Sequence, residues 1–423
     1  MNRPWRKCVV GLCLPLAWAV NAPAETLTWE DCVRLAAGHH PALVAAAEQV
    51  RAAEYAVGGA RAARRPQLSL GASAEHAEQD GESAADASLS AAASAEQALY
   101  TGGRLAASVE SAQAALDRAR ADYDSAAANL TYDLRGAFAD LLYAQEQAAL
   151  LGKIAERRRE NLELVRLRYE GGREHKGSLA MTEASSYQAE IEQRQAERQV
   201  ESARRVLART IGLPDDDRAL TISGVLAAGP APDTVDWEEL AKLTPAYFQG
   251  EASIRSAAAA VQSARSGYRP DISLSGSAGR SGDTDAFDTD RWTVGVRLSF
   301  PLWSGGQTRA AVARARAQQS AAAAQQVDTL NGLISDFSER LQAFRNATEN
   351  VTVQTRFAEA SDLRAGIARE QYGAGLLTFE NWDVIENERI SYQRRLLDVQ
   401  YTAVVAEAAW QKAVGRGVFP PEE

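Results

Sequence analysis

The chain has few of the residue types that do chemistry, and they are not arranged for it. Its 423 residues include four histidines, at His39, His40, His76 and His175. None of them has the H-E-x-x-H spacing that puts two zinc ligands on one face of a helix. The sequence also lacks a G-x-S-x-G nucleophile elbow and a phosphate-binding loop. We therefore predict no catalytic residue, no metal site and no cofactor.

Residues 1–24 have the three parts of a secretory signal peptide. The basic residues Arg3, Arg6 and Lys7 precede a short apolar run, and an A-x-A cleavage pattern ends the segment. We expect this leader to be removed, with an anchor at the start of the chain as the alternative. Cys32 would then be the one cysteine left, which excludes an intrachain disulfide. The net charge of −10 argues against a nucleic-acid partner, which would need a basic face.

The same pattern of helix breakers and turn residues occurs twice along the chain. The two copies of most landmarks are 203 or 204 residues apart. The paired landmarks are Pro41 with Pro245, Arg65-Pro66 with Arg269-Pro270, Gly102-Gly103 with Gly305-Gly306, Tyr169 with Tyr372, and Gly212 with Gly415. A shared order and spacing of this kind indicates a tandem duplication of one large unit.

Each unit is expected to contain an opening helix, a β-hairpin, a long helix and a return helix. Proline ends the opening helix and starts the hairpin, and glycine ends the later helices. For the first repeat, 25–214, we predict a helix over 29–64, a hairpin at about 66–99, a long helix at about 103–169 and a return helix at about 178–210. After a linker, 215–235, the second repeat covers 236–415. Its hairpin is at about 270–301, its long helix at about 306–371 and its return helix at about 379–414, before a tail at 416–423.

The second hairpin shows the clearest strand pattern. Apolar Trp292, Val294, Val296 and Leu298 alternate with polar or small residues, which gives a strand with one apolar face. A strand of about ten residues has the length of a tilted membrane-spanning strand. The first hairpin alternates less clearly, and a half-buried soluble hairpin would show the same pattern. No run of about 18 apolar residues follows the leader, so any membrane crossing has to use strands.

The long helices are too long for a compact domain. From Gly103 to Tyr169 the chain contains no proline, and a continuous helix of that length would be about 100 Å long. Apolar residues recur every seven positions, for example at Val109, Leu116 and Tyr123, which is the period of a coiled-coil seam.

These motifs resemble those of the TolC-like outer-membrane efflux proteins. They are Arg-Pro before a strand, Leu-aromatic-x-Gly-Gly between strand and helix, and Tyr-x-x-Gly at the tips of helical hairpins, and they cover essentially the whole mature chain. The resemblance implies a homotrimer whose four strands per chain form a twelve-stranded barrel in the outer membrane, continued by a long α-helical barrel in the periplasm. The chain departs from the family at Ala98, where proline is frequent. It also has Asn381 and Val384 where an aspartate pair narrows the pore in the founding member.

The resemblance also implies that the hairpin tips close the pore and bind a periplasmic adaptor. The candidate docking residues are Tyr169, Gly172, Arg173, Tyr372, Gly375 and Leu376. Glu380 and Asp383 are three residues apart on one helical face, so three copies would form an acidic ring in the lumen. A solvated outer face is the equal alternative for this pair. At the strand–helix junctions, Gly102, Gly103, Gly305 and Gly306 are expected to let the chain bend.

The sequence thus predicts an outer-membrane channel subunit of a tripartite efflux or type I secretion system, not an enzyme. Its expected partners are two further copies of the chain, a periplasmic adaptor, an inner-membrane pump and outer-membrane lipid. The alternative is a soluble periplasmic coiled-coil adaptor or scaffold, which explains the leader, the helices and the acidity but not two identically placed hairpins. Drugs, metals and secreted proteins are all compatible with the sequence as cargo.

Overall fold

The computed structural model describes residues 26–77, 86–213, 220–283 and 289–419. The predicted signal peptide and the last residues of the predicted tail lie outside these ranges. In chain order the elements are β1 (Thr26–Leu27), α1 (Trp29–His39), α2 (Pro41–Ala62), β2 (Gln67–Ala77), β3 (Asp86–Tyr100), α3 (Arg104–Glu170), α4 (Lys176–Thr210), β4 (Thr221–Ile222), α5 (Trp237–Lys242), α6 (Pro245–Ser266), β5 (Asp271–Asp283), β6 (Thr289–Ser299), α7 (Gln307–Gly373) and α8 (Phe379–Ala413).

Two helical hairpins contain the four longest helices of the described residues. In the first, α3 packs against α4, and in the second α7 packs against α8. Both α3 and α7 have 67 residues, which corresponds to about 100 Å each. Alanine supplies many of their buried positions and permits close approach of neighbouring helices.

The prediction of a single opening helix over 29–64 is wrong, because the structure has two helices there. His40 separates them and caps α2, its Nδ1 accepting a hydrogen bond from the Ala42 N–H at 3.2 Å. Pro41 takes the first helical position, where its missing N–H costs nothing, and it disfavours a helical conformation at the residue before it. Thr244 and Pro245 make the equivalent break between α5 and α6.

The two predicted hairpins join into one antiparallel sheet of four strands in the order β2-β3-β5-β6. Leu70 lies opposite Ala93 in the first hairpin, and Leu274 lies opposite Val296 in the second. The pairing of β3 with β5, which connects the two halves, was not predicted. It leaves one edge of β2 and one edge of β6 without a neighbouring strand in this sheet.

One face of the sheet is apolar and open. On β6, the side chains of Trp292, Val294, Val296 and Leu298 are all exposed, as are Leu68 and Leu70 on β2. Exposed apolar patches of this size on a protein surface mark a contact with another molecule or with lipid.

Across the described ranges, none of the helices combines the length and the apolar character needed to cross a bilayer.

The duplication extends to the core. A cluster in the first half contains Leu134, Phe138, Leu207 and Ile211, and the residues 203 positions later form a cluster in the second half, Phe337, Leu341, Trp410 and Val414. Part of the predicted linker packs here too, since Ile222 and Leu226 are buried in the first cluster. A short parallel pairing of β1 with β4, also not predicted, holds the linker beside the start of the described chain.

Glycine marks the same places in both halves. In the described part of the chain, every residue with positive φ is a glycine, and the eight of them form four pairs 203 residues apart. The pairs are Gly102 with Gly305, Gly103 with Gly306, Gly172 with Gly375, and Gly212 with Gly415. Only glycine adopts this left-handed conformation without strain, so any other residue at these positions would strain the backbone.

We predict that Gly102→Ala lowers the stability of the folded chain by about 2 kcal/mol. Its φ is +63°, and a Cβ there would lie 2.8 Å from the Arg269 Cβ and 3.0 Å from the Ser266 carbonyl oxygen. The matched control is Gly136→Ala inside α3, where an added Cβ meets nothing within 4 Å. Thermal unfolding in detergent, followed by circular dichroism, measures both. Equal melting temperatures for the two variants would contradict the prediction.

Candidate functional site

The two helical hairpins turn at tips built in the same way. The turns between α3 and α4 and between α7 and α8 each contain a left-handed glycine, Gly172 and Gly375. In each, the glycine N–H donates to the tyrosine carbonyl three residues earlier, Tyr169 or Tyr372, at 2.9 and 3.0 Å. The N–H of the next residue donates to a carbonyl five residues earlier in the helix. This second hydrogen bond completes the Schellman motif. The Tyr-x-x-Gly motif is therefore a helix stop that leaves the turn exposed.

The two tip tyrosines lie in different surroundings. Tyr372 is fully buried, and its ring stacks on Trp382 with the ring centres 4.4 Å apart. Phe379 and Val165 complete this cluster, which joins the second tip to α3. Tyr169, the equivalent residue in the first tip, is exposed. Tyr372 thus has no surface to offer a docking partner, and the candidate docking set is reduced to the other five residues.

A polar link also connects the two tips. The Tyr372 hydroxyl donates to Glu174 Oε2 at 2.9 Å, and the Arg168 guanidinium donates to the Tyr372 carbonyl at 2.5 Å while lying 4.5 Å above its ring. Burial alone would raise the pKa of Glu174, but hydrogen bonds from Tyr372, the His175 N–H and Ser178 lower it below its usual value. Burial and this carboxylate raise the pKa of the Tyr372 hydroxyl, which stays protonated and acts as the donor.

The exposed part of the tips includes Gly172, Arg173, Gly375 and Leu376. The Leu376 side chain is 80% exposed, and Gly172 and Gly375 have open space where a Cβ would be. A solvent-exposed leucine on one turn and an exposed arginine at the equivalent position of the other turn suit contact with another protein.

The two predicted acidic residues have different partners. Asp383 lies 3.6 Å from an Arg158 nitrogen and accepts a hydrogen bond from Asn387 at 3.0 Å. Glu380 is well exposed, with His175 Nε2 at 3.8 Å. Arg158 neutralises much of the field of Asp383, so Glu380 is the stronger candidate for a charge in the lumen. The acidic ring itself stays a prediction.

The two halves meet along a surface that we call the internal seam, formed by β3 with β5 and by α3 with α6 and α8. Halfway along it, α3 and α8 exchange two hydrogen bonds. The Tyr143 hydroxyl donates to Asp398 at 2.6 Å, and the Tyr401 hydroxyl donates to Asp140 at 2.6 Å. The two rings lie 5.1 Å apart, and burial together with the Asp398 bond raises the pKa of Tyr143 to about 12.

Nearer the tips, a buried ion pair crosses the same seam. Arg157 donates two hydrogen bonds to Glu386, at 3.0 and 2.7 Å, and Glu386 is almost inaccessible to solvent. A bidentate pair in this position fixes the relative orientation of α3 and α8, because removing one partner would leave a buried charge unpaired. Sequence reasoning missed these links, since each joins residues more than 200 positions apart. The two tyrosine–aspartate bonds have one local signal, an Asp-x-x-Tyr pattern on both helices.

The predicted junction glycines lie where the sheet meets the long helices. Gly103 and Gly306 are the residues immediately before α3 and α7, with φ of +98° and +87°. Gly102 and Gly305 precede them and also have positive φ. In the described residues, no group of three or more histidine, cysteine or acidic side chains is placed to hold a metal ion.

We predict that Tyr372→Phe loosens the tip, while Tyr169→Phe, at the exposed equivalent position, leaves it unchanged. The phenylalanine ring keeps the stack on Trp382 but loses the bond to Glu174, which contributes about 1 kcal/mol at neutral pH. Because the pKa of Glu174 is lowered in the folded chain, this contribution is present at neutral pH and is lost as the pH falls through that pKa. Hydrogen exchange of the tip amides measures the effect. A wild-type tip that does not loosen in acid, or a Tyr372→Phe tip as protected as wild type, would contradict it.

Solved structures of known channels have this fold. A crystal structure of CusC superposes with a TM-score of 0.82, covering 92% of each chain at 16% identity. The outer membrane protein VceC from Vibrio cholerae superposes with a TM-score of 0.79, covering 92% of this chain and 96% of that one at 21% identity. These matches confirm the mainly helical, internally duplicated fold with a small β part.

Comparison of the sequence with those of known proteins agrees with the structural matches. The chain is 24% identical over 177 residues to the solvent efflux pump outer membrane protein SrpC of Pseudomonas putida, which is 41% of this chain and 38% of that protein. The matched part spans between 38% and 65% of the length of the curated relatives found. The family model for outer membrane efflux proteins matches residues 32–213 and 239–416, one stretch in each half. The resemblance inferred from the motifs is thereby confirmed, with its assignment to efflux and to the outer membrane, and the chain belongs to the outer membrane efflux protein family.

Proposed function

We propose that this chain is one subunit of a passive export channel that crosses the outer membrane and extends into the periplasm. The observation that carries the proposal is a four-stranded sheet with an open apolar face and two free edges, attached to helical hairpins about 100 Å long. Family membership supports the same reading. No chemical step is part of this function, which is to provide a closed aqueous path.

The sheet is the part proposed to lie in lipid. On β6, Trp292, Val294, Val296 and Leu298 present apolar side chains on one face, while Thr293 and Arg297 alternate with them on the other. Alternation between lipid-facing apolar residues and lumen-facing polar residues is the pattern of strands in outer-membrane barrels. The strands of 11 to 15 residues are long enough to span the hydrocarbon core when tilted.

Closure of the wall requires further copies. In hydrocarbon the free edges of β2 and β6 would leave backbone groups without hydrogen-bond partners, at several kcal/mol each. Four strands are too few to close on themselves. Three copies would supply twelve strands, in agreement with the trimeric channels of the family.

At the other end, the tips are the proposed contact with a periplasmic adaptor and, through it, an inner-membrane pump. Their exposed glycine turns and Leu376 support this assignment, while Glu380 would contribute negative charge near the narrow end of the path. The rival function, a soluble periplasmic scaffold, leaves the open apolar face of the sheet without a purpose.

The proposal predicts a trimer that conducts ions. The purified full chain should have the mass of three copies in mild detergent, should co-sediment with outer membranes, and should give step-like conductance in planar bilayers. Mass photometry in detergent and bilayer recording check these expectations. A monomer that is extracted by salt alone and never conducts would support the soluble scaffold instead.

For the tip contact, we expect Leu376→Asp to abolish binding of the proposed periplasmic adaptor, because it puts an unpaired charge into an apolar contact that is worth about 2 kcal/mol. Leu243→Asp is the matched control, since Leu243 is also exposed but lies at the end of α5, away from the tips. Pull-down from detergent extracts compares the two variants. Equal retention of the adaptor by both would remove the tip from the docking surface, provided that both remain trimeric.

A further inference from the structure

The part of the internal seam next to the second tip contains two buried polar side chains without hydrogen-bond partners. Asn161 on α3 is 1% exposed, and neither its Nδ2 nor its Oδ1 atom is paired with any described residue. Trp382 on α8 is 2% exposed, and its Nε1–H is likewise unpaired among the described residues. Most buried polar groups in folded proteins have a hydrogen-bond partner, so two exceptions in one contact need a physical explanation.

The two side chains lie in the same stretch of the contact between α3 and α8. Arg158, three residues before Asn161, donates a hydrogen bond to Asn387 of α8. Val165, four residues after Asn161, packs in one cluster with Trp382. Residues three and four apart share a face of a helix, so the face of α3 that carries Asn161 is the one that meets α8. Asn161 is thus about one helical turn from a residue that packs with Trp382.

Strong links flank the two unpaired groups. On the side away from the tips, Glu386 accepts two hydrogen bonds from Arg157. On the side of the tips, Glu174 accepts the hydrogen bond from the Tyr372 hydroxyl. These links hold α8 and the second tip against the first hairpin. The unpaired groups therefore lie between two attachments and not at a frayed end of a helix.

The duplication shows that the unpaired groups belong to the seam and not to the repeated unit. The residue equivalent to Asn161 on α7 is Arg364, which is exposed and donates to Glu388 at 2.6 Å. The residue equivalent to Trp382 on α4 is Leu179, whose side chain has no polar atom. Neither equivalent position has a buried polar group, so the asparagine and the tryptophan are specific to the place where the second hairpin meets α3.

Unpaired buried groups make this contact weaker than its buried area alone would suggest. Taking an amide or an indole N–H out of water costs free energy, which is recovered only when a new hydrogen bond forms. When α8 moves away from α3, water supplies partners for the Asn161 amide and the Trp382 indole at the same time. The docked position of α8 lacks this gain, so the two groups favour separation.

We propose that Asn161 and Trp382 form a weak point at which the second tip and the start of α8 separate reversibly from α3. The flanking links keep the docked position the more populated one, while the two unpaired groups raise the population of the separated one. The separation is a property of the folded chain and goes beyond the proposed function. Its use in a channel rests on that function, because a path that is closed at the tips can open only if a tip moves.

Thiol labelling measures the separation directly. Val165 is inaccessible to solvent, so a thiol introduced by Val165→Cys reacts with an alkylating reagent only while α8 is away from α3. Cys32 is equally buried but lies in the first core cluster, so its labelling reports opening of that core instead. Mass spectrometry of peptides from the full chain in detergent follows the two sites separately. The introduced thiol is expected to react at least about tenfold faster than Cys32.

Two asparagine-to-leucine changes, each added to Val165→Cys, should act in opposite directions. Asn161→Leu replaces an unpaired amide by an apolar group of similar shape, so labelling of the introduced thiol should become about tenfold slower. Asn387→Leu is the matched control, because it makes the same chemical change at a paired position of the same contact. Asn387 accepts a hydrogen bond from Arg158 and donates one to Asp383, and their loss should make labelling faster by a similar factor.

Asn161→Val covers the case in which leucine is too large for the site. Slower labelling in at least one of the two variants at position 161, with labelling of Cys32 unchanged, supports the weak point. Labelling as fast as in Val165→Cys alone for both variants, or a change that Cys32 shares, overturns it. None of these outcomes depends on conductance or on the mass of the assembly, so the weak point and the proposed channel can fail independently.

Discussion

In the hydrocarbon core of a membrane, every backbone N–H and C=O group has to be paired within the protein, because no water is available to replace the partner. This constraint accounts for the arrangement of the strands and of the helices that continue from them. The sheet of β2, β3, β5 and β6 satisfies its inner edges within the chain and leaves its two outer edges free. The long helices continue from the sheet through paired glycines, so whatever closes the sheet also brings the helices of neighbouring copies side by side.

The duplication provides each contact surface of the joint twice in one chain. One joint, between α3 and β3 on one side and α6, α8 and β5 on the other, is built inside the chain. Once the coding unit is doubled, the same surfaces are present a second time and face outward. The internal joint contains the hydrogen bonds of Tyr143 and Tyr401 and the bidentate pair of Arg157 with Glu386. These polar links cost little within one polypeptide, where the partners are held at high effective concentration.

Local signals in the sequence were sufficient to predict the duplication and most helix ends. Gly172, Gly212 and their equivalents end helices because only glycine enters the left-handed conformation freely, so the residue type reports the backbone directly. The predicted long and return helices agree with the observed ones to within about two residues at each end. The prediction of one opening helix was wrong because Pro41 starts a new helix within a run of good helix formers. The pairing of β3 with β5 could not be predicted, since register between distant strands has no local signature.

The candidate site was harder to predict for the same reason. Tyr169 and Tyr372 occupy equivalent motifs, and the sequence treats them alike. Their difference arises from α3, which brings Val165, Arg168 and the Glu174 turn against the second tip but has no counterpart beside the first. Burial of a residue in a duplicated chain depends on which copy has a neighbour, and that is a property of the tertiary structure.

The equal lengths of the matched elements have a geometric consequence. Three of the four pairs of helices have equal lengths in the two halves, 22, 67 and 35 residues, and both hairpin turns end at the same distance from their glycines. Units with equal helix lengths can start and finish at the same height along the long axis. If the units of a head-to-tail contact are displaced along the axis, the copies form an open helical filament. If there is no displacement, they form a closed ring. Matched helix lengths are therefore compatible with a contact that has no pitch, which is the condition for the proposed closed ring.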